Sequence, residues 1–398
     1  MTQNKELNTF ITKFYLYNFF SLMGFIIPFV AVMLDVNGLS ATQIALCMMA
    51  SRVVQVIMEV PSGAIADKFS RKYVLLVSRL LNGMPYVFWI LMPNFWGYLI
   101  GYMFFGLNMS LDSGCVEAFV YDELAKYKRR DLFERVQGRK EACVSIGLLT
   151  VSVVAAFLVK LGFGYNFLMF LSICTTVISA FIMFLIKPAK SQKKIEEDVL
   201  KYFEILKKGI KYSFSHKTVL KLFFFLAFTS SINIGILEYA EIFYNEITGS
   251  LSKVAILFGL VELAAGIGSF GGEYLRKFKI KTLLFIYFTN ASLYILMYAV
   301  YSFLFSFILA IINAVVMCMI VVNFIARTND FIPSNIRATV LSVRGLIEAI
   351  GTIICLFFFG LVVDKFGSYQ IGFLTFAVIY AVGSLGFCVV LWKDKSLK

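Results

Sequence analysis

Twelve long apolar stretches, joined by short loops that hold nearly all the cations, leave this chain one fitting solvent, a lipid bilayer. The hydrocarbon core is about 30 Å thick and takes about 20 apolar residues of helix to cross. Backbone N–H and C=O groups have no water partners there, so each crossing must satisfy its own as a helix. The 398 residues are 60% hydrophobic, with a mean hydropathy of +0.83. That supplies many crossings and predicts an all-α integral membrane protein. The first apolar run continues to full membrane length and reads as a retained helix, not a cleaved signal.

Composition removes several chemistries. All seven cysteines fall inside apolar runs and none forms a CxxC pair, so neither a metal site nor a disulfide is expected. The single histidine, His216, lies in a polar loop. Any proton moved within the membrane must therefore ride on carboxylates. A net charge of +13 would suggest nucleic acid in a soluble protein; here it belongs to loops that orient helices, and no nucleic acid is expected.

Helices are predicted at about 11–34, 41–66, 73–93, 95–121, 141–160, 166–187, 218–246, 252–274, 282–301, 303–327, 337–363 and 368–391. Residues 122–140 read as an amphipathic surface helix. Residues 188–217 read as a charged connector, partly lying along the membrane surface. The expected organisation is a six-helix bundle over 1–187, a cytoplasmic linker over 188–217, and a second bundle over 218–398. Of the 37 Lys and Arg residues, Lys160, Lys253 and Lys365 fall in external loops and Lys221, Arg52, Arg79 and Arg344 within helices. The other thirty lie on one side, which places both termini in the cytoplasm.

The halves repeat. GAIADKFSRK (63–72) follows the second helix and GEYLRKFKIK (272–281) the eighth; KLGFGYNFLMF (160–170) follows the fifth and KFGSYQIGFL (365–374) the eleventh, with Gly162 and Gly367 in register. Two matched pairs in the same order fit a transporter built from duplicated halves.

EVPSGAIADKFSRK (59–72) resembles the loop motif of the major facilitator superfamily, G-x-x-x-D-[RK]-x-G-[RK]-[RK]. Gly63, Asp67, Lys68, Arg71 and Lys72 match, and Ser70 replaces the second glycine. The resemblance implies two pseudo-symmetric six-helix bundles, and for this loop a switch that stabilises the outward-open state. Physically, Gly63 permits close helix approach. Asp67 suits the positive N-terminal end of another helix, and the eleventh, with Ser334 as a candidate N-cap, is the expected one. The alternative is an anchor for a tight turn. Two departures weigh against a standard drug–proton antiporter: Tyr102 stands where an arginine precedes a glycine (here Gly106), and the fifth helix lacks a Gly-Pro pair.

Ionisable residues in spanning helices cost a few kcal/mol and so face partners or wet cavities. Arg52, Gln55 and Glu59 share a helix face, as do Asn108 with Asp112, Glu238 with Glu241, and Arg344 with Glu348. Counting 1.5 Å per residue puts Arg52, Asp112, Glu262 and Glu348 near mid-membrane. Together with Gln55 and Arg344 they form the candidate substrate or proton site. Glu238 and Glu241 lie nearer the outside as a candidate outer gate. Arg79, Glu59 and Glu117 lie nearer the cytoplasm, where structural pairing is expected. Arg344 and Glu348 alternatively neutralise each other at i, i+4, and Lys221 snorkels to the surface. Pro28, Pro61 and Pro85 are candidate kinks.

Carboxylates outnumber buried arginines, which favours protons and cationic or amphiphilic solutes. The expected activity is proton-driven export of such a compound across the cell membrane by alternating access. A monomer with no cofactor is expected. Uptake of a small nutrient such as a sugar, or a receptor on the same fold, are the alternatives. An enzyme is not expected: Asp112-Ser113-Gly114 has no histidine to complete a catalytic serine site.

Overall fold

Pro28 lacks an N–H, and in a continuous helix its ring would strike the carbonyl of Gly24. The first apolar run breaks there. In the computed structural model, which describes residues 2–186, 207, 209–333 and 336–397, α1 (Thr2–Ser21) stops short. A 3-10 turn at Ile27–Phe29 carries Pro28, and α2 (Val30–Val36) follows. The kink expected at Pro28 is a full break. Pro61 and Pro85, by contrast, sit inside the continuous helices α3 (Ala41–Lys68) and α4 (Arg71–Leu91). The fourth run is also split, into α5 (Phe95–Asp112) and α6 (Cys115–Lys126), at Gly114 with φ +69°.

The remaining helices are α7 (Phe133–Lys160), α8 (Tyr165–Phe184), α9 (Lys217–Thr248), α10 (Leu251–Gly271), α11 (Ile280–Ala299), α12 (Phe303–Asp330), α13 (Arg337–Phe366) and α14 (Tyr369–Trp392). Ten of these helices, α3, α4 and α7 to α14, are long and apolar enough to cross a bilayer. With the two broken runs they make the twelve. All regular structure among the described residues is helical.

The surface helix expected over 122–140 does not form. Its first residues end α6, Lys128 turns the chain with φ +57°, and α7 already begins at Phe133. Val136 is buried, and Leu132 and Phe133 pack on the core cluster beside it. The apolar spacing there serves the inner end of α7. Most of the 188–217 connector lies outside the described residues. Residues 209–215 are helical, and Tyr212 Oη donates to Phe331 O at 2.8 Å.

Contacts divide the chain into two compact units, Met1–Leu39 with Leu46–Glu196, and Ser40–Ala45 with Glu197–Lys398. Inside the first, α1 packs on α7 and α8, and α4 on α5 and α8. Inside the second, α9 packs on α13 and α14, and α11 on α12 and α14. The pairing pattern is the same, and finer features repeat with it. Arg71 pairs with Asp122, and Arg276 with Asp330. A Cβ on Gly106 would collide with Ser51 O, and one on Gly268 with Val315 O. Both are close helix crossings that small residues permit in lipid. Gly162 and Gly367 have φ of +90° and +64°, a left-handed turn that favours glycine.

Apolar side chains fill the core and also cover the surface, while a set of small polar side chains is buried. Phe270, Leu91 and Val382 are exposed, while Ser78, Ser172, Thr229, Ser231 and Asn323 are buried. Lipid is as apolar as leucine, so hydrogen bonds and close packing hold the bundles.

Lys221 does more than reach the surface: its Nζ meets Asp394 at 2.8 Å, and Thr218 Oγ1 donates to the same carboxylate at 3.3 Å. Burial pushes the Asp394 carboxyl up, but hydrogen bonds from Lys221 and Ser396 outweigh it and hold it down to about 2. An acid held below its unfolded value stabilises the fold above pH ~4, and that stabilisation is lost as pH falls towards 2. With Lys221 over a third exposed, about 1 kcal/mol is expected after solvent screening. Asp394→Asn should melt lower than the parent at pH 6, and the gap should narrow below pH 4 and close towards pH 2.

Candidate functional site

Arg79 reaches the middle of the first unit on α4 and is 1% exposed. A bare guanidinium there would cost several kcal/mol. Two neighbouring helices supply its partners. Its Nη2 forms an ion pair with Asp112 of α5, and its Nη1 donates to Ser21 O of α1 at 3.0 Å. The guanidinium lies 5.7 Å from the Tyr17 ring centroid. Ser78 Oγ donates to Asp112 at 2.6 Å, and Asn108 Nδ2 donates to Ser78 Oγ at 2.7 Å. Sequence reading grouped Arg79 with Glu59 and Glu117; the partner in the structure is Asp112. Glu59 is exposed, and Glu117 stands 3.7 Å from Lys140 Nζ with half its side chain exposed. Arg52 and Gln55 are half-buried on α3.

At the start of α4, Lys72 is buried and donates to Phe184 O at 2.7 Å, while Lys68 and Gly63 are exposed. The Asp67 side chain and the Ser334 N-cap lie outside what the structure describes.

The second unit holds an open-sided cavity of about 290 Å³ among α9, α10, α11, α12 and α13. Glu241, Glu262 and Glu348 line it, and none of its lining residues is Lys or Arg. Among the described residues, neither Glu262 nor Glu348 has a side-chain hydrogen-bond or ion-pair partner. No ion pair joins Arg344 to Glu348; Arg344 Nε is buried without a partner and Arg344 does not line the cavity. Glu238 is half-buried and outside the lining, so the two residues of the expected outer gate part company.

Aromatic and amide groups shape the rest of the wall. Tyr294 Oη donates to Asn233 Oδ1 at 2.5 Å, and Asn233 Nδ2 donates to Thr229 O and Tyr380 Oη, both at 3.0 Å. Both ends of the Asn233 amide are thus used, which fixes its orientation and that of Tyr294. Tyr298 Oη is buried without a partner, and Asn313 Nδ2 donates to Asn290 O at 3.2 Å. The sequence candidates were ionisable residues and the amides sharing a helix face with them, and these groups stand apart from both. Asparagines in the middle of spans, at 233, 290 and 313, were the available signal.

The cavity therefore offers apolar and aromatic walls, three carboxylates with no Lys or Arg in the lining, and a rigid polar back. Concave, mostly apolar walls with a few fixed polar groups are the features of small-molecule sites. Among the described residues no cluster of side chains is fit to hold a metal.

Residues 10–354 match the family model described as Major Facilitator Superfamily. No curated protein matches the sequence. Among solved structures, a mutant of the nucleoside transporter NupG is similar at 13% identity, covering 96% of this chain and 98% of that one, with a TM-score of 0.81. A bacterial homolog of the human lysosomal transporter Spinster, inward-facing and occupied, is 16% identical over 98% and 95%, with a TM-score of 0.74. A D-xylose–proton symporter is 11% identical over 98% and 96%, with a TM-score of 0.70. At these identities the likeness is one of fold.

Proposed function

Since this chain belongs to the major facilitator superfamily, whose members carry small solutes across membranes, we propose that it exports an amphiphilic cation from the cell in exchange for protons. One observation carries the reading: the second-unit cavity has three glutamates in its lining and no Lys or Arg. A carboxylate surrounded by apolar groups is costly while charged and unpaired. Glu262 and Glu348 are relieved either by a bound organic cation or by a proton. A site that holds one or the other, in turn, exchanges them. Asp112 is already neutralised by Arg79, so the exchange is assigned to Glu262 and Glu348. Leu257, Phe258 and Val261 supply the apolar wall for the rest of the solute.

Everted membrane vesicles with ethidium as the probe cation test this. An inwardly directed rise in ethidium that needs an acid interior, and collapses with a protonophore, is expected. Ethidium movement that ignores the proton gradient would overturn the exchange, and accumulation driven the opposite way would make the protein an uptake carrier.

A further inference from the structure

One backbone carbonyl fixes the polarity of a wall of the second-unit cavity. Thr229 O can only accept, so the Asn233 amide atom that meets it at 3.0 Å is Nδ2. The second hydrogen of that nitrogen goes to Tyr380 Oη at 3.0 Å, and the Tyr380 proton goes on to Met317 Sδ at 3.6 Å. Oδ1 of the same amide then faces Tyr294 Oη at 2.5 Å. An amide oxygen has no proton to give, so Tyr294 must donate. The Tyr294 ring is held as well: it stacks on Tyr298 with centroids 6.3 Å apart and meets Tyr380 edge-on at 5.5 Å. Its proton engaged with Asn233, Tyr294 has lone pairs left for the cavity it lines, and among the described residues no second partner takes them.

A carboxylate stands close by along α9. Ser231 Oγ, two residues before Asn233, donates to Glu348 O of α13 at 3.0 Å. A Cβ on Gly351 would sit 2.5 Å from that Ser231 oxygen, so the two helices cross closely there. Two residues rise about 3 Å along a helix, so Glu348 and the Tyr294–Asn233 pair line one stretch of the cavity. Both the ionised carboxylate and the engaged phenol accept, and neither donates. We infer that this wall selects, among organic cations, those with two or more N–H bonds on the charged nitrogen, primary ammonium groups above all: Glu348 takes one N–H and Tyr294 Oη another. The inference rests on the reading of the cavity as a cation site and narrows it. A tertiary ammonium has one N–H for the carboxylate and none for Tyr294. A quaternary ammonium has neither. Tyr294 is thus a specificity-determining residue.

The test is a methylation series on one apolar body: naphthylmethylamine, its dimethyl derivative and its trimethyl salt, all cations at pH 7. Binding to the purified protein is measured by calorimetry. Methylation also changes hydration and apolar area, so the readout is the effect of a variant on each probe. A hydrogen bond to a charged group changes affinity about tenfold. Tyr294→Phe is therefore expected to weaken the primary amine about tenfold and leave the dimethyl and trimethyl probes unchanged. Tyr294→Leu should lower the ratio of primary to dimethyl affinity by the same factor, which keeps the test open if the first variant does not fold. Glu348→Gln should weaken all three probes. Equal losses for all three in Tyr294→Phe would make the residue a packing element and overturn the inference. Unchanged binding of the primary amine would overturn it too, and either result leaves the cation site standing. If none of the three bound the parent, the inference and the cation site would fall together.

Discussion

Arg79→Met is expected to destabilise the protein by about 3 kcal/mol, the lower part of the range for breaking a buried pair. Arg79 is 1% exposed, and its removal strands the Asp112 carboxylate inside a spanning bundle with Ser78 as its remaining side-chain donor. It also frees the Ser21 carbonyl on α1. One side chain thus ties α1, α4 and α5. Asp112→Asn alone strands the guanidinium, a comparable loss. The double variant Arg79→Met with Asp112→Asn leaves no unpaired charge and should recover most of the stability. Melting temperatures of the four proteins in detergent form the cycle that measures this. Strictly additive losses would show that the pair is not coupled.

This pair marks where sequence reading runs out. The helix count, the repeat and the polar positions within spans were all legible, because apolar run length and loop charge are local properties. Arg79 and Asp112 were each visible as costly residues. Their pairing was not, because it depends on how two helices rotate about their axes. The segment over 122–140 shows a related ambiguity. Apolar spacing near 3.6 describes both a helix lying on a membrane and the inner end of a spanning one, and Val136 decides for the latter only once its neighbours are known. Pro28 was readable, since the clash with the carbonyl four residues earlier follows from the chain alone.

The cavity carries the second large effect. Glu262→Gln and Glu348→Gln should each weaken ethidium binding about tenfold, and the two together about a hundredfold, if each carboxylate gives one charge-assisted contact of roughly 1.5 kcal/mol. A glutamine keeps the size and polarity of the side chain, so the loss reports charge and not packing. In the parent protein protons compete with the cation, so binding should tighten as pH rises; in the double variant that dependence should flatten. A neutral phenanthridine of similar shape separates the two contributions. It should bind parent and double variant alike, through Leu257, Phe258 and Val261. Tyr298→Phe should leave the cation dependence intact, because its hydroxyl has no partner in the cavity wall and contributes no charge. If the neutral compound bound the parent as tightly as ethidium does, the glutamates would be bystanders to recognition, and the exchange of cation for proton would need another site.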